Sequence, residues 1–342
     1  VPIPSLDDPL GGPEQLQGFS FTPPSLGVAD RRPGLSAFMR IRNGEEFLEP
    51  TIRSHIGHFD EIVALYNQCS DRTEDILLRL RQEFGPQRLR VVHYIDRVFP
   101  PGSEGHAATP ADSPHSLVNY YNAALSATRY TVATKLDDDH LALEESTAQV
   151  VQALRRRLAE GQALDEMQCF SGLNLIRGPN GELGVFATTP ISGGGDIGFF
   201  PLRPDTYFVH DRRFERFQRA GLKRRWVGFL YWHLKYLKAE LGFANYELDA
   251  NPGSRYAKRR RALADAPPTA LRLRELPERL APRWSHRLAA LVNGKKALTL
   301  TRNAAVVEVF PDVDVLAALA RTSDARWLQQ VLQSKPPVGV QP

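Results

Sequence analysis

From Leu35 onward, Leu35, Ala37, Met39 and Ile41 alternate with Ser36, Phe38 and Arg40, a period-two pattern that predicts a strand. The chain turns at Arg42-Asn43-Gly44, and Phe47, Leu48, Ile52, His55 and Ile56 follow at helical spacing. A second strand is expected over Glu61 to Asn67. Ile76, Leu77, Leu80 and Phe84 mark a second helix, closed by Gly85-Pro86. Arg88 to Tyr94 reads as a third strand. After a Pro/Gly/Ser-rich loop, Pro100 to Ser113, Ser113 is the expected N-cap and Pro114 the first helical residue. Leu117, Tyr121, Ala124, Leu125 and Thr128 carry that helix. Thr131 to Leu136 is a strand that runs into Asp137-Asp138-Asp139, and a helical stretch then reaches Glu160.

The second half is less regular. Residues 168–210 look strand-rich, with turns at Gly178 to Gly181 and Gly193-Gly194-Gly195. Leu230, Leu234, Leu237 and Leu241 step by 4, 3 and 4, which predicts an amphipathic helix that also carries Trp226, Tyr231 and Trp232. Ala297 to Gln333 offers short strands and helices without a motif. Strands alternating with helices predict an α/β fold with a parallel sheet. The expected organisation is an irregular, Pro- and Gly-rich arm over 1–33, a main α/β domain over 34–250 with halves at 34–145 and 146–250, and an extension over 251–342.

Composition narrows the class. The 342 residues are 42% hydrophobic and 24% charged, an ordinary globular balance that can bury a core without disulfides. Cys69 and Cys169 are too few for a disulfide framework and are expected to be reduced, which fits a cytoplasmic protein. No secretory signal is evident, and no apolar run approaches the ~20 residues that span a bilayer. Net charge is +4, but residues 253–287 hold ten Lys/Arg against three Asp/Glu, so the remainder is slightly acidic.

Ligands of a parallel α/β sheet sit at the carboxyl ends of its strands. Three polar clusters fall there: Arg42 to Glu46, Asn67 to Thr73, and Asp137 to His140. An extended chain puts Asp137 and Asp139 on one side, a pair suited to a hard divalent cation such as Mn2+ or Mg2+. A solvated acidic turn is the alternative. His140 either reaches such a cation or a phosphate, or only packs at the strand end.

Phe38 to Glu46 resembles the opening strand and Asn-x-Glu loop of family 2 glycosyltransferases of the GT-A type. Tyr66-Asn67-Gln68-Cys69-Ser70-Asp71-Arg72-Thr73 is similar to that family's segment after the second strand, with Tyr66 and Cys69 as departures. Asn122, in Tyr-Tyr-Asn-Ala-Ala-Leu, matches the family's Asn before the metal strand. Thr134 to Asp139 resembles its Leu-Asp-x-Asp signature. The resemblance covers about residues 35–145. It implies a Rossmann-like GT-A fold, a mixed and mostly parallel sheet flanked by helices. It further implies a metal-dependent glycosyltransferase that moves sugar from a nucleotide sugar to a glycan or glycolipid acceptor, in surface polysaccharide or lipopolysaccharide synthesis and with inversion. Arg42, Asn43, Glu45, Asn67, Asp71, Asn122, Asp137 and Asp138 are the implied nucleotide-binding residues, and Asp137 and Asp139 the metal ligands.

The resemblance also implies a carboxylate base in the acceptor half. Asp196 is the first choice because it follows three glycines and precedes Ile197-Gly198-Phe199-Phe200. Asp211 and Glu215 are reserves, and an exposed turn Asp is the alternative for Asp196. The stretch Arg255-Tyr256-Ala257-Lys258-Arg259-Arg260-Arg261 suits an anionic membrane surface; a solvated helix face is its plain alternative, and no nucleic-acid module accompanies it. Peripheral association with the inner face of a membrane is therefore expected. A sugar-phosphate nucleotidyltransferase is the second enzymatic reading, weakened because Arg42-Asn43-Gly44 is a poor phosphate loop. A non-catalytic carbohydrate- or nucleic-acid-binding protein is the third, and it has no use for metal carboxylates.

Overall fold

The computed structural model describes residues 12–195, 197–210, 215–249, 251–265, 269–282, 284–310, 314–324 and 329. The first half alternates strand and helix as the pattern predicts. Its elements are β1 (Glu14–Leu16), β2 (Arg32–Ile41), α1 (Leu48–His55), β3 (Glu61–Tyr66), α2 (Thr73–Phe84), β4 (Leu89–Tyr94), α3 (Glu104–Ala108), α4 (Leu117–Ser126), β5 (Tyr130–Lys135), β6 (His140–Ala142) and α5 (Glu144–Ala159). The strand-rich middle holds β7 (Glu166–Arg177), β8 (Leu183–Phe186), β9 (Ile191–Ser192), β10 (Gly198–Pro201), β11 (Tyr207–His210), β12 (Glu215–Gln218) and β13 (Lys223–His233). The remainder gives α6 (Arg255–Ala264), β14 (Ala270–Leu271), α7 (Leu276–Leu280), α8 (Trp284–Val292), α9 (Gly294–Val309) and α10 (Val315–Thr322).

Twelve strands join one sheet, with the path β1-β4-β3-β2-β5-β10-β7-β13-β6. Strands β1 to β5 pair in parallel, β10 is antiparallel to both neighbours, β7 and β13 are parallel, and β6 closes the edge antiparallel. The result is a mixed, mostly parallel sheet flanked by helices, the α/β arrangement expected from the sequence. Alternation assigns the faces. Leu35, Ala37, Met39 and Ile41 pack with Ile62 and Ala64 beneath α1, α2 and α5. Phe38, Val63, Leu65, Val92 and Tyr94 point the other way, onto α4. Central parallel strands covered on both faces are near-continuously apolar, and β3 is buried throughout, its one charge, Glu61, being paired with Arg129 at 2.8 Å.

Several expectations are corrected. Within the arm expected to be irregular, Glu14–Leu16 pairs in parallel with the exposed edge of β4. Helix α4 starts at Leu117 with Ser116 as N-cap. Ser113 instead holds a turn, its Oγ accepting from the His115 N–H at 3.2 Å, so the cap lies three residues later than expected. The leucine-stepped segment is not a helix. Residues 223–233 form β13, and Leu234 and Leu237 follow in a short 3-10 turn. The aromatic run Trp226 to Trp232 favours a strand, and pairing on both sides with β7 and β6 overrides a leucine spacing that only imitates a helix. Trp226, Tyr231 and Trp232 are therefore sheet residues. The expected mix of strands and helices after Ala297 is helical in its described residues. Cys69 and Cys169 are free thiols.

Candidate active site

The loops after β2 and β3 are hydrogen-bonded into one unit. Asn43 sits at φ 51°, in the left-handed region that Asn tolerates better than most residues. Its N–H meets Cys69 Sγ at 3.3 Å, its Oδ1 accepts from the Ser70 N–H at 2.8 Å, and its Nδ2 donates to Asn245 Oδ1 at 3.0 Å. The Glu45 N–H donates to Asp71 Oδ2 at 2.9 Å, and Asp71 Oδ1 accepts from the Thr73 N–H at 3.0 Å. Glu45 Oε2 accepts from Arg72 N and Nε, both at 3.2 Å. Gly44 brings this unit against the acidic cluster: a Cβ there would lie 2.6 Å from Asp138 Oδ2.

Two further residues expected to bind nucleotide spend their side chains on the main chain. Asn67 Nδ2 donates to the carbonyls of Tyr94 and Asp96, both at 2.7 Å, and its Oδ1 accepts from the Val98 N–H at 3.2 Å. Asn122 makes a reciprocal pair with Phe208, at 2.9 and 2.8 Å, and so fastens β11 to α4. The Arg42 carbonyl accepts from Asn245 Nδ2 at 2.5 Å, while its buried Nε has no hydrogen-bond partner among the described residues.

At the end of β5 the chain turns at Asp138-Asp139 rather than staying extended, so Asp138 and Asp139 share Lys238 while Asp137 pairs with Lys135. Asp137 meets Lys135 Nζ at 2.7 Å, with Arg40 at 3.9 Å. The Arg40 guanidinium also lies 3.2 Å over the Tyr121 ring. Asp138 meets Lys238 Nζ at 2.9 Å. Asp139 is buried between Lys238 Nζ, 3.2 Å from Oδ2, and His233 Nε2, 3.2 Å from Oδ1. Burial alone would raise the pKa of Asp137 and Asp139. Lys135 overcomes it for Asp137, Lys238 and His233 overcome it for Asp139, and both stay ionised. Burial outweighs Lys238 at Asp138 and raises its pKa.

The histidines complete the cluster. In β6, His140 is buried, stacked on Tyr231 at 3.8 Å, and pushed by burial down to a pKa of about 3, so it is neutral. His233 lies opposite it in the β13–β6 register. Asn174 Nδ2 donates to the Thr189 carbonyl at 2.6 Å, which leaves its Oδ1 to accept from His233 Nδ1 at 2.5 Å. That bond orients the ring so that Nε2 faces the Asp139 carboxylate. Asp139 Oδ1 and His140 Nε2 are buried without a hydrogen bond of good geometry, although His233 Nε2 is close to the former. Asp139, His140 and His233 offer ligand atoms within 4.8 Å of one another, a group fit for a divalent metal. Asp137 is not part of that group.

His233, Lys238, Lys135, Arg40 and Asn174 were not singled out from the sequence. His233 and Lys238 reach Asp139 through long-range pairing of β13 with β6; the only local signal was a His ending an aromatic run. Of the expected bases, Asp196 and Asp211 lie outside the described residues. Glu215 opens β12 with its carboxylate 2.7 Å from His106 Nε2. In α6, whose first residue is Arg255, the cations are partly engaged. Arg259 meets Tyr236 OH and Thr189, Arg260 meets Asp249, Arg261 meets the Pro252 carbonyl at 2.6 Å, and Lys258 is exposed. A cavity of about 560 Å3, lined by residues such as Arg53, Phe84, Ala142 and Thr322, includes none of the acidic cluster.

No protein-family model and no curated protein matches the chain. Among solved structures it is similar to glucosyl-3-phosphoglycerate synthase from Mycobacterium tuberculosis in complex with Mn2+, UDP and glucosyl-3-phosphoglycerate, at 19% identity over 47% of this chain and 50% of that one, with a TM-score of 0.26. It is also similar to the same synthase in complex with Mg2+ and UDP, at 16% identity over 48% of this chain and 50% of that one, with a TM-score of 0.25. The chain spans about half the length of these structures.

Proposed function

We propose that this chain is a metal-dependent glycosyltransferase that moves a sugar from a nucleotide-sugar donor to a glycan or glycolipid acceptor, inverting the anomeric carbon, in surface polysaccharide or lipopolysaccharide synthesis. The observation that carries the reading is the group Asp139, His140 and His233, whose ligand atoms lie within 4.8 Å of one another, with Asp139 Oδ1 and His140 Nε2 buried and lacking a hydrogen-bond partner among the described residues. Asp139 and His233, with His140 beside them, would hold Mn2+ or Mg2+. When bound, that ion supplies charge stabilisation for the departing diphosphate. Arg40, Lys135 and Lys238 place three further cations at the same strand ends, where donor phosphates need them. The unit around Asn43, Glu45 and Asp71 forms the nucleotide side. Asn67 and Asn122 hold its backbone frame.

On the acceptor side a carboxylate takes the hydroxyl proton. Asp196 is the first choice, and Asp211 and Glu215 are next. Gly193 and Gly195, with φ of 78° and 92°, carry the loop into Asp196, and a Cβ at Gly193 would lie 2.7 Å from the Phe170 carbonyl oxygen. The acceptor end works at the cytoplasmic face of a membrane, with Arg255, Lys258, Arg259, Arg260 and Arg261 toward anionic lipid. Among the described residues no helix is long and apolar enough to cross a membrane.

The test is a thermal-shift screen of nucleoside diphosphates, UDP among them, with and without Mn2+. A nucleotide at 100 times its Kd stabilises by about 2.7 kcal/mol. A Mn2+-dependent shift is expected in the parent chain and in D196N, and none in D139N. Sugar transfer should fall ~10²–10⁴-fold in D196N. No shift with any nucleotide, or an undiminished shift in D139N, overturns the reading.

A further inference from the structure

Helix α8 carries a feature that sugar transfer does not use. Its sequence is Trp-Ser-His-Arg-Leu-Ala-Ala-Leu-Val, and four of its apolar side chains face solvent: Trp284 is 75% exposed, Leu288 56%, Leu291 81% and Val292 90%. Their spacing, i, i+4, i+7 and i+8, gathers them in one arc of roughly 100° on the helix. A contiguous apolar stripe of this kind marks a surface made to be covered. The support beneath it is firm. Helix α8 packs on α9, α9 packs on β13 and α7, and Val306 of α9 is buried in the core shared with the sheet.

We propose that α8 is a membrane-docking helix, which lays Trp284, Leu288, Leu291 and Val292 into the interfacial region of an anionic bilayer. Charge decides among the possible occupants. Between Glu278 and Glu308 the chain has no Asp or Glu but six Lys/Arg, among them Arg287 and Lys296, both exposed. An apolar stripe with a Trp at one end and cations alongside is the pattern of helices that lie in the lipid headgroup layer. The cations meet phosphate headgroups while the stripe enters the acyl boundary. A second copy of the chain is the poorer occupant, because a two-fold pairing of this face would bring the same cations together. The inference stands apart from the transferase reading: it requires no nucleotide, metal or acceptor.

The experiment is flotation of the full chain with vesicles of phosphatidylcholine alone and of phosphatidylcholine mixed with phosphatidylglycerol. Brominated-lipid quenching of tryptophan emission is read in parallel. The parent chain is expected to float with the mixed vesicles and to be quenched. L288S/L291S should bind at least about tenfold more weakly, because the inserted apolar area is what holds the helix in place. Both side chains are exposed, so this variant should keep the parent's circular dichroism and melting curve. In a W226F/W327F background, W284F should still float but lose most of the quenching, since the remaining Trp232 is buried in the core. The inference is overturned if the parent does not float, if L288S/L291S floats equally well, or if W284F in the W226F/W327F background is quenched as strongly as the chain of that background that keeps Trp284. It is also overturned if the parent is a dimer that L288S/L291S makes monomeric while neither binds vesicles.

Discussion

His233 stands between Asn174 and Asp139, and the amide decides which ring nitrogen faces the carboxylate. Asn174 has no freedom of its own, because its Nδ2 is committed to the Thr189 carbonyl at 2.6 Å. Turning the amide over would aim an N–H at His233 and break that bond. Asn174 is thus a positioning residue: it lies behind His233 and presents its Nε2 beside Asp139 Oδ1. Such partners of a metal-binding His are worth about 10–100-fold in metal affinity. N174A is therefore expected to bind Mn2+ ~10–100-fold more weakly by calorimetry, with little change in melting temperature in the absence of metal. N174D, which keeps an acceptor at the same place, should recover most of the loss. Equal Mn2+ affinity in N174A and the parent chain would show that His233 is not oriented by the amide, or is not a ligand.

Helix α1 places an ionisable group where the fold cannot tolerate its charge. His55 is buried against Phe59, and its Nδ1–H donates to the Thr51 carbonyl at 2.8 Å. Burial pushes its pKa down from 6.5 to about 4. Below pH 6.5 the unfolded chain takes up this proton and the folded chain does not. The stability is thus fully present above that pH and is lost progressively down to about 4. At pH ~5 the loss from this one group is about 2 kcal/mol. Urea unfolding at neutral pH and near pH 5 should show it, and H55L should flatten the slope by that amount. An unchanged slope in H55L would place the acid sensitivity elsewhere. The elements that were legible in the sequence, β2 to β5 with α1, α2 and α4, have short-range causes: alternation in a strand, helical period, a turn glycine. The end of β13 was not legible. Leu230, Leu234 and Leu237 are all buried, the first in the strand and the others after it, so their spacing carries a burial pattern without a helix behind it. The site divided in the same way. The acidic cluster could be read from the end of one strand, whereas His233 and Lys238 belong to it only because β13 pairs with β6, which no local window of sequence contains.

The basic extension and the sheet share one core. Leu173, Leu175, Val185, Phe229 and Trp232 pack with Leu273, Leu276, Val306, Phe310, Val315 and Leu319. Trp232 Nε1 donates to Thr322 Oγ1 at 2.9 Å, which ties the end of α10 to the strand that carries His233. The end of β13 that carries His233 is therefore supported from below by helices near the far end of the sequence. Phe310 is central to that support. It is buried, with its ring 5.5 Å from Phe229 and 5.1 Å from Trp232. F310A leaves a cavity between sheet and helices and should cost about 3–5 kcal/mol, the usual range for a buried Phe. If the core is continuous, the loss falls on the whole molecule. Far-UV circular dichroism and tryptophan emission should then follow one urea transition, moved to lower urea in F310A. The alternative is an extension that folds by itself and rests on the sheet. F310A would then split the curve, with a helical step at low urea and a sheet step where the parent chain unfolds. Two transitions in F310A, the later one coincident with the parent's, would refute the shared core and also remove the reason to expect that the far helices hold His233 in place.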